Sequence, residues 1–504
     1  MPSQAVLQKE NEALLSLVDD QQVTLNQQNT QIKRLEELIR ILRHHQFGAA
    51  SEKTPPEQAR LFDETDDPVE EEASPVPVSG HTRRKSKGRP RLSDDLPRVE
   101  VIHDLTDEEK VCSEHGCALT PIGEETSEQL EFIPAEVRVI RHVCKTYTCP
   151  ECEGHVVTAK KPPQPIPKSV ATPGLLAWVA VSKYVDALPL YRQCAIFERL
   201  GFHIDRTTLA NWMIQCGQLL QPLVNLLLDV LRQQPYLHMD ETTVQVLAEP
   251  GRKPQSKSYM WVSAAGPPGE AVVVFHYDPS RGREVPQLLL GDYTGALMVD
   301  GYDGYEAVCK ARGLKRLGCW AHARRKFVEA QRLQPKGKTG KADQALALIN
   351  KLYRIERTLK EVDATTRYGE RQRQAQPVID KLRRWLDRSR STTAPGTALG
   401  KAVIYLDNQW SRLIGYLDDG AYPIDNNRAE NAIRPFVIGR KNWLFCQSMR
   451  GARASANLYS IIETAKANGI DPCAYLKRVF TLLPQAQNVD DIAALLPGNF
   501  NTGD

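Results

Sequence analysis

The run Asp425-Asn426-Asn427-Arg428-Ala429-Glu430-Asn431-Ala432-Ile433-Arg434 concentrates carboxylates, amides and guanidinium groups in this 504-residue chain. Asp425 follows closely on Pro423 and suits a helix cap, after which Asn427, Glu430 and Arg434 share one stripe. A lone carboxylate on a helix is usually solvated. Two upstream stretches change that reading. Leu237-His238-Met239-Asp240-Glu241-Thr242 and Leu297-Met298-Val299-Asp300-Gly301-Tyr302-Asp303 each run an apolar segment into an acidic residue. An Asp at the end of a buried strand is costly unless it faces a site. Two such Asp and one helical Glu suit a pair of Mg²⁺ ions, which take oxygen ligands and partner phosphates. That is the equipment of a phosphodiester-cutting enzyme. Asp303 competes with Asp300 but lies past the strand end, and Glu241 alternates to the face opposite Asp240.

The elements that must position these groups are legible in outline. Tyr236 to Leu247, Ser258 to Ala264, Ala271 to Tyr277 and Ala296 to Val299 read as strands, with a Gly-Pro-Pro-Gly turn joining the second to the third. A helix near Arg283 to Leu290 precedes the fourth, Leu314 to Cys319 reads as a fifth strand, and Trp320 to Arg332 as a basic helix. This pattern predicts a mixed α/β sheet of ribonuclease-H type over residues 235–456, interrupted by helices at about 333–420. Residues 168–232 are helical. One helix opens at Leu188-Pro189 and ends near Gly201, and Asp205-Arg206-Thr207 caps the next, an outline shared by DNA-binding helix-turn-helices and plain helical hairpins. Arg206 is the DNA-facing candidate there. Residues 457–504 read as an amphipathic helical tail with Ile461, Ile462, Ala465, Tyr475, Leu476 and Val479 as core.

The first third of the chain has a different character. Residues 1–45 fit a heptad, with Leu7, Leu14, Leu35 and Leu42 at one position and Asn11, Val18, Leu25, Ile32 and Ile39 at its partner. Gln21 and Gln28 weaken its middle, and a self-associating coiled coil is expected. Residues 46–98 form a linker in which an acidic stretch gives way to Arg83, Arg84, Lys85, Lys87, Arg89 and Arg91 around a Gly-Arg-Pro core. Such an arm can lie extended in a narrow minor groove, mostly touching phosphate. Residues 99–160 suggest a zinc module. Cys149 and Cys152 have the Cys-x2-Cys spacing that lets two thiolates reach one tetrahedral ion. Cys112 and Cys117 form a looser partner knuckle, with His115 as the alternative to Cys117. Cys144 is a further candidate within an alternating, strand-like segment (Val137, Val139, His142, Val143).

Totals narrow the class. Hydrophobic content of 41% and charged content of 25% are those of a globular protein able to bury several cores. A net charge of only +3 puts any nucleic-acid signal into local basic blocks. Eleven Cys without a secretory leader favour reduced thiols and metal ligation over disulfides. No apolar run approaches the ~18 residues of a membrane helix, so a soluble, intracellular protein is expected.

Asp240-Glu241-Thr242, Asp300-Gly301-Tyr302, Cys319-Trp320-Ala321-His322-Ala323-Arg324-Arg325, the stretch from Asp425 to Pro435 and Gly439-Arg440-Lys441-Asn442-Trp443-Leu444-Phe445 together resemble the transposases of the IS66 insertion-sequence family. Phe47-Gly48 and Pro189-Leu190-Tyr191-Arg192-Gln193 belong to the same pattern, and the likeness spans nearly the whole chain. It implies a DDE transposase of the bacterial cytoplasm and nucleoid. Asp240, Asp300 and Glu430 would then hold two Mg²⁺ ions, replaceable by Mn²⁺, for cutting and joining DNA. Structural Zn²⁺, double-stranded DNA at element ends and target, pairing through the coiled coil and other element-encoded proteins are the implied partners. His322, Arg324, Arg325, Arg434, Arg440 and Lys441 become candidate phosphate contacts. One departure is local: the family writes its first knuckle Cys-x2-Cys-Gly, whereas here His115-Gly116 precedes Cys117. A purely hydrolytic nuclease and a DNA-binding repressor with a relict site are the competing readings, and the presence of all three carboxylates argues against the relict.

Overall fold

The computed structural model describes residues 137–148, 156–158, 161–334 and 339–500, together with seven helical positions between 21 and 35. Those seven (Gln21, Gln22, Leu25, Gln28, Gln31, Ile32 and Leu35) are exposed, and five of them occupy the two apolar heptad positions. The rest of the expected coiled coil, the basic arm and Cys112, His115, Cys117, Cys149 and Cys152 lie outside the described residues. Thr146–Thr148 (β1) and Val156–Thr158 (β2) pair antiparallel, Thr146 opposite Thr158, and the Cys149/Cys152 pair falls between them in sequence. The strand expected around Val137 to Val143 is absent. Residues 137–145 are exposed and irregular, since an alternating pattern makes a strand only where an edge is available to pair with it.

Four helices follow: Pro173–Tyr184 (α1), Leu190–Arg199 (α2), Arg206–Leu219 (α3) and Gln221–Arg232 (α4). Thr172 caps α1 through the Leu175 N–H, with Pro173 preset at its first position. Gly201 takes φ +81° in the turn between α2 and α3, a conformation that costs glycine nothing. Tyr236–Ala248 (β3), Lys257–Ala265 (β4) and Val272–Asp278 (β5) then form an antiparallel meander. Glu284–Leu290 (α5) leads to Ala296–Val299 (β6), and Asp303–Arg312 (α6) to Lys315–Gly318 (β7). β6 and β7 run parallel to β3, so the sheet reads β5-β4-β3-β6-β7. The Gly-Pro-Pro-Gly turn joins β4 to β5, with Gly266 at φ +88° and Gly269 at φ +87°.

Trp320–Arg332 (α7) starts directly after β7. The expected helical interruption is Lys341–Thr358 (α8), Ala364–Glu370 (α9), Gln376–Ser391 (α10), Ala398–Asn408 (α11) and Trp410–Ile414 (α12), with one π turn at Arg371–Ala375. Arg371 is its hub. The guanidinium is buried and grips Glu356 at 3.0 and 2.7 Å while donating to the carbonyls of Tyr416, Asp419 and Tyr422. A buried charge this fully paired is tolerable; one with its partner removed is not.

The chain returns to the sheet with Asn427–Trp443 (α13), Cys446–Ser448 (β8), Met449–Ala467 (α14), Pro472–Leu482 (α15) and Val489–Ala493 (α16). β8 pairs with the end of β3. α14 is buried almost all round rather than amphipathic, and it runs unbroken through residues 456 and 457, where a separate tail was expected to begin. The foreseen tail core (Ile461, Ile462, Ala465, Tyr475, Leu476, Val479) is buried in one cluster with Leu209 of α3 and Phe275 of β5.

α14 also seals the sheet's open edge. Ser460, Thr464 and Asn468 recur every four residues and meet the alternate residues Phe275, Val273 and Ala271 on β5. Ser460 Oγ accepts from the Phe275 N–H at 2.7 Å, Thr464 Oγ1 from Val273 at 3.0 Å, and Asn468 Oδ1 from Ala271 at 2.8 Å. Thr464 Oγ1 and Asn468 Nδ2 donate back to the Val273 and Ala271 carbonyls. The match is geometric: four helical residues advance about 6 Å and two strand residues about 6.6 Å. Edge N–H groups that would otherwise recruit another strand are thereby used up. Thr464→Val keeps the shape and removes both bonds, so urea unfolding should show a loss of about 1–3 kcal/mol. A loss below about 0.5 kcal/mol, the scale of an ordinary surface change, would show that Thr464 does not seal the edge.

Candidate active site

Parallel pairing of β3 with β6 joins Tyr236 to Ala296, Leu237 to Leu297 and His238 to Met298, a constant offset (298 − 238 = 60). Asp240 and Asp300 each lie two residues beyond the last of these pairs, Asp240 within β3 and Asp300 just after the end of β6. Burial pushes the Asp240 carboxyl up to about 8, and the charges of Glu241, Glu430 and Asp300 add to it, against the Glu241 N–H bonded to its Oδ1 at 2.9 Å. Asp240 therefore feels both of the other expected carboxylates. Asp300 Oδ1 accepts from the Tyr302 N–H at 2.9 Å, and buried Arg316 ties the Asp300 and Tyr302 carbonyls to Glu306. Asp303 is exposed on the first turn of α6, off the strand as expected.

Glu430 is placed by Asn426. That amide is fully buried, donates to the Met239 carbonyl at 2.8 Å and meets His238 Nδ1 at 3.0 Å, one and two residues before Asp240. Since its nitrogen serves Met239, its oxygen must accept, so His238 carries its proton on Nδ1. Burial, with the Arg428 charge, holds His238 down at about 3, and the ring is neutral. The expected cap is displaced by one residue. Asn426 is the N-cap of α13 but makes no side-chain cap bond, because its amide is committed to β3. Asp425 instead accepts from the Asn427 N–H at 3.1 Å and takes the Tyr353 hydroxyl of α8 at 2.8 Å.

Several basic candidates turn inward. Arg325 donates to Glu430 Oε2 at 3.0 Å, and His322 Nδ1 stands 3.5 Å from Glu430 Oε1. Arg324 is buried and donates to Asn350 at 2.9 Å, so it faces the helical interruption rather than a DNA backbone. Arg440 is half-buried, bonded to Thr242 Oγ1 at 3.1 Å and to the Thr243 carbonyl, and burial lowers its pKa. It braces the far half of β3. Arg206, Arg434 and Lys441 are exposed.

Sequence reasoning missed a second layer. Glu241 is buried, not turned to an idle face: Arg281 donates Nε to it at 2.9 Å and the Tyr305 hydroxyl bonds it at 2.6 Å. Tyr302 stacks on Arg281 with the guanidinium 4.1 Å from the ring centre. Nothing local in the sequence marks Arg281. Asn426 and Cys319 did lie inside stretches already singled out, and Cys319 Sγ accepts the Asn426 N–H at 3.2 Å. Chemically, oxygen donors with one buried and repelled member suit a hard divalent cation that would relieve the repulsion.

The chain is similar to known proteins along most of its length. Residues 168–454 match the model of the transposase IS66 family and 460–497 that of the IS66 C-terminal element. Residues 109–153 match the zinc-finger binding domain of transposase IS66, and 34–101 the model described as transposase C of IS166 homeodomain. Three proteins of Sinorhizobium fredii are similar over most of their length, each described only as uncharacterized. Protein y4jD is 34% identical over 80% of both chains, y4qI 32% over 94% of this chain and 90% of its own, and y4hP 30% over 89% and 85%. Among the described residues no single helix is long and apolar enough to cross a membrane. With the family model spanning the sheet, the helical interruption and the Asp425 to Arg434 stretch, this chain belongs to the IS66 transposase family.

Proposed function

We propose that this protein binds the ends of its own insertion sequence and cuts and rejoins DNA there, with Asp240, Asp300 and Glu430 as ligands of two Mg²⁺ ions. The observation that carries the reading is that Asp240 and Asp300 each stand two residues beyond the paired His238 and Met298, with Glu430 tied to β3 through Asn426. Three meandering strands followed by two parallel ones support a ribonuclease-H type of sheet, interrupted between the second Asp and the Glu. When bound, the ions supply Lewis acidity to the attacking and leaving oxygens of a phosphodiester. The chain's own part is to keep the carboxylates close, hold Glu430 in place through Arg325 and give up the Asp240 proton. Exposed Arg206 at the start of α3 suits DNA, as do Arg434, Lys441 and the half-exposed Arg325. The arm from Arg83 to Arg91 adds phosphate contacts. Structural zinc in residues 109–153 accords with the family match there. Exposed Leu25, Ile32 and Leu35 at heptad positions of a helix support pairing of chains.

Asp240→Asn, Asp300→Asn and Glu430→Gln each keep the side chain's shape and remove one charge. Cleavage and strand transfer of a labelled element end should fall by about 10³-fold or more, the scale of losing a preorganised charge at a reacting centre. Binding of that end should persist, and Asp303→Asn should stay near wild type. A dead Asp303→Asn beside an active Asp300→Asn would overturn the assignment of the second carboxylate. Cleavage without joining would leave a nuclease. Mn²⁺ should replace Mg²⁺, and Ca²⁺ should allow binding without cutting.

The raised Asp240 carboxyl makes a second prediction. Its protonated form is favoured in the folded state, so the stability it contributes is complete below the unfolded value and drains away as pH rises toward about 8. Mg²⁺ needs the ionised form and competes with that proton. Thermal stabilisation by Mg²⁺ should therefore be small near pH ~6 and grow toward pH ~9. A stabilisation independent of pH would remove Asp240 from the metal's ligands.

A further inference from the structure

Glu430 also belongs to a second set of donors. Cys319 stands at the N-cap of α7, His322 lies three residues on in its first turn, and Glu430 sits in the first turn of α13. One ligand atom from each lies within 4.8 Å of the others. Cys319 is only 1% exposed, and the side chains of His322 and Glu430 are 26% and 19% exposed. His322 Nδ1 and Glu430 Oε1 are buried atoms without hydrogen-bond partners, and they face each other at 3.5 Å, too far for a good N–H···O bond. Two orphaned polar atoms of this kind are costly unless something stands between them. Arg325 holds the other Glu430 oxygen, so Oε1 is the atom on offer. The Asn426 N–H already points at Cys319 Sγ, the kind of outer contact that steadies a metal-bound thiolate.

We propose that Cys319, His322 and Glu430 form a binding site for a thiophilic divalent cation of the zinc class, distinct from the all-carboxylate Mg²⁺ site but sharing Glu430 with it. Sulfur, imidazole and one carboxylate oxygen make a tetrahedral set whose fourth position is left to water, a mixture that zinc accepts and hard Mg²⁺ avoids. Binding deprotonates Cys319, the proton passing to solvent. Occupancy draws Glu430 away from Asp240 and Asp300, so the cation inhibits Mg²⁺-dependent cleavage. That consequence rests on the catalytic reading of Glu430; the site itself does not.

Cobalt(II) is the probe. Full-length protein carrying its structural zinc is titrated with Co²⁺, and the thiolate-to-cobalt charge-transfer band is read as the difference between wild type and Cys319→Ser. One equivalent of extra band in the wild type is expected, with affinity lowered about 10–100-fold or more in His322→Gln, the minimum set by losses of mere outer-shell partners. Identical bands in wild type, Cys319→Ser and a second variant, Cys319→Ala, all with the wild-type circular dichroism spectrum, would overturn the site. In parallel, Zn²⁺ is added to Mg²⁺-dependent cleavage. Inhibition of wild type that Cys319→Ser escapes supports the shared ligand. An extra cobalt band alongside zinc-insensitive cleavage keeps the site and overturns the competition. Absence of cleavage under every condition counts against the catalytic reading alone, because the spectrum still reports on the site.

Discussion

A single buried amide connects the parts of this site. Asn426 bridges the strand that carries Asp240 and the helix that begins before Glu430, satisfying the Met239 carbonyl and the His238 ring in one rigid geometry. All three polar groups are out of water, so each bond lost would strand a partner at roughly the full desolvation cost. The Asn426 N–H adds a third tie, to Cys319 at the start of α7. One residue thus fixes two helices against the central strand, and the helix cap normally made by such a residue is given up for it.

The helical interruption serves the same junction. It looks like an insertion with no chemistry, yet Arg371 gathers the carbonyls of Tyr416, Asp419 and Tyr422, the segment that runs directly into Asp425. Tyr353 then holds Asp425 itself, and Asn350 holds Arg324 one residue from the Arg325 that grips Glu430. A long excursion between the second Asp and the Glu would otherwise leave the Glu helix to loop-closure chance. Here the excursion folds back as a brace.

What was legible in the sequence follows from which forces are local. The strands around Asp240 and Asp300 announce themselves because an apolar run that ends in an acid is costly anywhere but at a site, and Ala296–Val299 and Trp320–Arg332 fall where the pattern sets them. Sidedness was less legible. Glu241 alternates away from Asp240 along the strand, but Arg281 and Tyr305 arrive from other elements to bury it, and no spacing foretells them. Arg324 and Arg440 read as DNA contacts because a basic residue near a site most simply meets phosphate; tertiary packing assigned them to Asn350 and Thr243. The same limit hid the Ser460, Thr464 and Asn468 stripe, whose meaning depends on an edge strand almost two hundred residues upstream.

The carboxylates raise a problem that the fold solves before any cation arrives. Like charges this close cannot all be ionised in a partly buried place without compensation. Arg281 compensates Glu241, Arg325 compensates Glu430, and Asp240, its carboxyl pushed up to about 8 by burial, keeps a proton across most of the neutral range. The cluster is therefore close to electrically settled, and the chain can fold around these acidic side chains. On the proposed reading the same settlement sets the terms of loading: a cation taking these ligands would have to displace the Asp240 proton and loosen Glu430 from Arg325. A site held this way favours ions that arrive with phosphate oxygens of their own, since those ligands replace what the two arginines and the proton supply.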